Sequence, residues 1–149
     1  MRSDLDSIDL ARVEDAQIRG PGGAIATVLL GIEWDRDPWA YGGLPTALPE
    51  GDYRLADGLG HMAAYDAALG WALGGYRFGR YQREPGRPPA RLVWPDSCNR
   101  ARVEAVAAGI FLTRDLINTP ASDMGPPDLE AAARSHIEGT AFYDDYDYN

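Results

Sequence analysis

No lysine occurs in the 149 residues, and all 14 cationic side chains are arginine. A guanidinium stays protonated at neutral pH and offers no lone pair, so any metal site that takes a lysine as ligand is excluded. Cysteine is almost absent as well. Cys98 stands alone, which excludes an internal disulfide and fits a reducing compartment. No histidine lies near it in sequence, so a loop thiol is a simpler reading than a nucleophile. Long apolar runs are missing, and the longest, 24–32 and 105–112, fall well short of a bilayer span. The opening MRSDLDSIDLARVED is acidic where a secretory signal needs a basic start and an apolar stretch, so a cytoplasmic protein is expected, with no membrane partner. A net charge of −9 repels phosphate backbones, and no nucleic-acid partner is expected.

What is present is an apolar fraction of 45% with four tryptophans, enough for one globular domain and a trailing segment. The reading divides the chain into a flexible leader (1–9), an α/β domain (10–98), a long helix with a linker segment (99–137) and an acidic aromatic tail (138–149). Residues 10–18 alternate as a strand, and Gly20-Pro21-Gly22-Gly23 is a turn before the apolar 24–32, which predicts a hairpin. A phosphate cradle is the alternative for that turn, but such loops open onto a helix, whereas this one opens onto β-branched and aliphatic residues. Prolines and glycines through 33–51 predict a loop with aromatic anchors, Trp39 and Tyr41 among them. Residues 53–56 form a short strand candidate.

A helix is predicted over 61–81, with bulky residues on several sides and Gly70, Gly74 and Gly75 as places where another backbone approaches closely. Arg77, Arg80, Arg83, Arg87 and Arg91 interleave with Phe78 and Tyr81. Such a cluster can bind nucleic acid. The blander reading, preferred here, is a helix end with favourable arginines followed by a proline-rich linker. Residues 90–94 predict a strand, and a long helix starts near Asn99 with an apolar stripe expected to face the sheet. Pro120 ends it, and Pro126 opens another helix over 126–136, with His136 in its last turn. The acidic cluster Asp144-Asp145-x-Asp147 lacks the turn glycine and closing glutamate of a calcium loop, so a solvated tail is preferred.

The stretch 112–134, LTRDLINTPASDMGPPDLEAAAR, carries Arg114, Asp115, Leu116, Asn118, Thr119, Pro120, Ala121 and Pro126 at the spacing of A-R-D-L-x-N-T-P-x-N-x-x-x-P. It resembles the leucyl aminopeptidases in the segment that leads into their catalytic half. Ser122 stands where that pattern often has asparagine. Upstream, Asp37-Pro38-Trp39, Leu48-Pro49-x-Gly51-x-Tyr53 and the run from Ala68 to Tyr81 are similar to one bacterial subgroup of that family, so the likeness covers roughly 24–134.

The resemblance implies an α/β, macro-domain-like mixed sheet flanked by helices, with a C-terminal connecting helix. It also implies a two-metal catalytic domain, holding zinc or manganese through carboxylates and a lysine. A chain without lysine cannot house that centre, and the family's Asn-Thr-Asp-Ala-Glu-Gly-Arg-Leu motif does not occur in it. No catalytic, cofactor-binding or metal residue is therefore expected here, and Arg114, Asp115, Asn118, Thr119, Pro120 and Pro126 are expected to be structural. By the resemblance the partners are the catalytic domain and the other subunits of a homo-oligomer, a hexamer. The motif also sits closer to Met1 than is usual in the family, so part of the sheet is expected to be missing or replaced. A different class of function is a stand-alone module holding a nucleotide or ADP-ribose, by fold analogy alone. It would need glycine-rich loops after strand ends, with an acidic residue placed for the adenine.

Overall fold

The computed structural model describes residues 15–19, 23, 25–32, 36–83 and 86–139. The expected leader, residues 140–149 of the expected tail and its acidic cluster lie outside them. The described elements are β1 (Asp15–Arg19), β2 (Ile25–Leu30), a 3-10 turn (Pro38–Tyr41), α1 (Leu44–Ala47), β3 (Asp52–Tyr53), α2 (His61–Gly74), β4 (Arg91–Leu92), α3 (Arg100–Asn118) and α4 (Pro126–Gly139). The α/β class is as expected. Strands pair two by two: β1 with β2 antiparallel, from Asp15 opposite Leu30 to Arg19 opposite Ile25, and β3 with β4 parallel. Gly23, at φ +81°, lies between the paired strands of the hairpin, in the left-handed region that glycine tolerates.

Helix α2 is the centre of the fold because it is apolar on most of its circumference and therefore buries two faces. On one side Ala67 and Trp71 pack with Tyr41, Leu44, Leu48 and Ala90, and Val28, Leu30, Tyr53 and Leu92 lie against them. On the other side Ala68, Leu69 and Leu73 meet Val103 and Ala107 of α3, flanked by Tyr65, Trp94, Ile110 and Phe111. Two of its glycines are dictated by packing. A Cβ at Gly70 would fall 1.8 Å from the Pro38 carbonyl oxygen, and one at Gly74 would fall 1.8 Å from that of Gly42. The 3-10 turn and the residues after it thus lie directly on the helix backbone.

One carboxylate is buried in α2. Asp66 accepts 2.9 Å from Arg36 Nε, with 7% of the Asp66 side chain exposed against 57% of Arg36. A buried charge is costly without such a partner, so this pair ties the chain before the 3-10 turn to the helix.

Several expectations are corrected. Helix α2 ends at Gly74, where Gly75 N–H bonds the Trp71 carbonyl, and does not reach 81. Two consecutive glycines weaken the helix there, and the bulky residues beyond them turn away toward α3. The arginines from Arg77 onward consequently lie past the helix, and its last turn contains no basic residue. Residues 33–51 are not simply a loop, since Asp37 Oδ1 caps the 3-10 turn by accepting from Trp39 N–H and α1 follows it. Trp39 is 64% exposed and belongs to the surface, whereas Tyr41 is core and Trp94 half-buried. The stripe of α3 packs with α2, and of the strands Leu92 of β4 lies against the same cluster.

Candidate functional site

Helix α3 begins where Asn99 Oδ1 accepts from Arg102 N–H at 3.1 Å, the side-chain cap that satisfies an otherwise orphaned donor. It ends at the motif. Thr119 N–H and Oγ1–H both donate to the Asp115 carbonyl, at 3.0 and 2.7 Å, and Pro120 cannot continue the helix. The turn that follows closes through Asp123 N–H to the Pro120 carbonyl. Pro126 opens α4, and Asp128 Oδ2 accepts from Gly125 N–H at 2.8 Å.

The polar members of the motif converge on Tyr76, a residue of the predicted helix and of the run similar to one bacterial subgroup, for which the sequence indicated no partner. Its hydroxyl donates to Asp115 Oδ1 at 2.6 Å and accepts from Asn118 Nδ2 at 3.3 Å. Its ring lies 5.2 Å from that of Phe111, and the Arg114 guanidinium sits 5.2 Å above it. Arg114 Nη1 donates 2.8 Å to the Leu73 carbonyl, so a cation of α3 satisfies the open end of α2. Desolvation, and then the bond to Asp115, push the Tyr76 phenol above its ordinary value. Tyr76 therefore acts here as a neutral donor.

A second tyrosine of the same loop reaches the turn. Tyr81 Oη donates 2.5 Å to Asp123 Oδ2, whose other oxygen accepts from Ser122 Oγ. These two bonds hold the Asp123 carboxylate below the usual carboxylate range. Four residues separate Tyr76 from Tyr81, so one short loop grips α3 and its exit turn together. The arginines near this loop are partly engaged: Arg80 lies over the Tyr81 ring, and Arg87 donates to the Leu48 carbonyl.

An open cleft of about 870 Å³ lies between β2 and the stretch 49–56, floored by Tyr41, Leu44, Leu48 and Trp71. A smaller one of about 260 Å³ is formed where the loops after β3 and β4 meet, 54–59 and 93–97. It is smaller than the roughly 300–1,000 Å³ typical of small-molecule sites. His61 Nδ1 donates to the Ser97 carbonyl at 2.6 Å beside it. Residues 20–22 of the turn weighed as a phosphate cradle lie outside the described residues; the strands on either side of it, β1 and β2, are antiparallel. Burial raises the Cys98 thiol above its ordinary value, which disfavours the thiolate a nucleophile needs. His136 lies in the last turn of α4, with Nε2 close to Gly109 of α3.

Among the described residues no three of His, Cys, Asp and Glu gather as a metal would require. Lysine is absent from the sequence. The residues present do not fit a two-metal centre. No helix of the described residues is long and apolar enough to cross a membrane.

Residues 11–95 match the M17 aminopeptidase N-terminal domain, and the chain belongs to that family. It is 33% identical over 90 residues to a probable cytosol aminopeptidase of Rhizobium rhizogenes, covering 51% of this chain and 18% of that protein. A probable cytosol aminopeptidase of Xanthobacter autotrophicus is 32% identical over 89 residues, covering 53% of this chain and 18% of its own. Among solved structures, the cytosol aminopeptidase of Coxiella burnetii superimposes with a TM-score of 0.72 at 37% identity, over 81% of this chain and 26% of that one. The chain thus spans about a fifth to a quarter of the length of the proteins it matches.

Proposed function

We propose that this chain is a non-catalytic N-terminal domain that supports assembly and substrate access in a leucyl aminopeptidase-like enzyme removing N-terminal amino acids in the cytoplasm. Its partners are a catalytic domain holding two divalent metals, zinc or manganese, and the other subunits of a homo-oligomer, a hexamer. The observation that carries this reading is the junction at Tyr76. Arg114, Asp115 and Asn118 spend their polar groups on Tyr76 and the end of α2, and Thr119 bonds back to the Asp115 carbonyl. These residues are structural. A macro-like fold belongs to the same proposal; in its support, the parallel β3–β4 pair and the antiparallel hairpin, two separate two-stranded sheets, pack on a common core.

The test is a chimera in which this chain replaces the corresponding first quarter of the Coxiella burnetii enzyme. Leucine p-nitroanilide hydrolysis and sedimentation are then measured for the chimera, for the intact enzyme and for the enzyme lacking that quarter. The chimera is expected to recover the oligomer and most of the activity that truncation removes. Recovery of neither by a soluble chimera would contradict the supporting role.

A further inference from the structure

Helix α4 is thinly attached. Of residues 126–136 only Ala132 and His136 are half-buried, and Leu129 remains 50% exposed. Over 126–136, therefore, little of α4 is covered, and a constraint at its entry turn bears on where it points. The loop after α2 supplies that constraint at two places. Tyr76 holds the last turn of α3 through Asp115 and Asn118, while Tyr81 holds the exit turn through Asp123. The Tyr81 ring is itself placed from both sides, 5.7 Å from Phe78 and 5.6 Å below the Arg80 guanidinium. Ser122 Oγ donates to the other oxygen of Asp123, so both oxygens of the carboxylate are held.

We propose that residues 76–81 form a two-point clasp that sets the direction in which α4 leaves α3, Tyr76 being the fixed point and Tyr81 with Asp123 the adjustable one. The clasp stands on this geometry and does not depend on the proposed enzyme partner. Tyr81 and Asp123 are positioning residues, and each acts only through the other. In a longer polypeptide such a clasp would set the angle at which whatever follows α4 is presented.

Amide hydrogen exchange followed by NMR tests this in the chain itself, in Tyr81→Phe, in Asp123→Ala and in the double variant. Tyr81→Phe keeps the ring and removes only the hydroxyl. Exchange across 123–131 is expected to quicken about threefold or more in each single variant. The double variant should be no faster than the faster single one, as for two halves of one contact. Amides of α2 should be unchanged in all three. Unaltered exchange at 123–131 in Tyr81→Phe, or effects that add in the double variant, would overturn the clasp. So would equal acceleration in α2, because the bond would then support the whole fold and not the direction of α4.

Discussion

Trp71→Ala is expected to cost about 4 kcal/mol, the largest loss of any single truncation in this fold, because it removes a buried aromatic and leaves a cavity. The side chain is 7% exposed. It joins the core of Tyr41, Leu44 and Leu48 to the strands through its tilted ring contact with Tyr53, centroids 6.0 Å apart. Its Nε1 also donates to the Ala90 carbonyl at 3.0 Å, and Ala90 N–H donates to Pro45, so this contact fixes the entry to β4. Domains of this size have about 5–15 kcal/mol in total. The alanine variant should therefore be largely unfolded at modest urea, with its midpoint reduced by a third or more of the parent's. Trp71→Phe separates the two contributions. It keeps most of the packing but leaves the Ala90 carbonyl without its donor, at about 1–3 kcal/mol. A phenylalanine variant as stable as the parent would mean that the indole N–H contributes nothing.

Gly70→Ala is the second large effect, and its sign runs against helix propensity. Alanine should stabilise a helix interior by about 0.5–1 kcal/mol over glycine. At this position the new methyl meets the Pro38 carbonyl oxygen at 1.8 Å and its carbon at 2.8 Å, both backbone atoms that cannot rotate aside. Overpacking of that kind costs about 1–3 kcal/mol and occasionally more, and a backbone-on-backbone clash belongs at the upper end. A net loss of about 2 kcal/mol is expected in urea denaturation. Gly74→Ala should behave alike, against Gly42. Gly43→Ala is the control, since a Cβ there meets nothing within 4 Å. If Gly70→Ala raised the midpoint, the close approach of the 3-10 turn to α2 would be wrong.

The parts of this fold that were legible in the sequence are those decided locally. Asn99 before an apolar period, Pro120 after it and Pro126 at the next start are punctuation whose physics needs no distant partner, and α3 and α4 follow it. Gly70 and Gly74 read correctly as places of close approach, whereas a Cβ at Gly75 would meet only ordinary contacts, and nothing in the sequence said which backbone would approach. What failed depended on tertiary contact. Tyr76, Phe78 and Tyr81 looked like a continuing helix because they are bulky, yet Tyr76 reaches α3, Tyr81 reaches its exit turn and Phe78 packs beside Tyr81. Tyr76 and Asp115 lie 39 positions apart, and Tyr81 and Asp123 lie 42 apart. No periodicity connects them. Trp39 looked like an anchor by size alone, and its exposure could not be read from composition.

The site was legible in part for the same reason. The spacing of Arg114, Asp115 and Asn118 was visible as a motif, but its physical content was not. That content is Tyr76, which receives two of these side chains at its hydroxyl and the third over its ring. Asp66 is a further case, since a carboxylate in an alanine-rich helix resembles a solvated residue until Arg36 is seen on it.

The central claim is that this polypeptide supports peptide hydrolysis without performing it. The most direct measurement is leucine p-nitroanilide hydrolysis by the purified chain with manganese or zinc added, beside the intact Coxiella burnetii enzyme under the same conditions. The expected rate for the chain is indistinguishable from the metal-only blank, while the intact enzyme turns over. Metal-dependent hydrolysis that copurifies with the chain and is lost on chelation would contradict it.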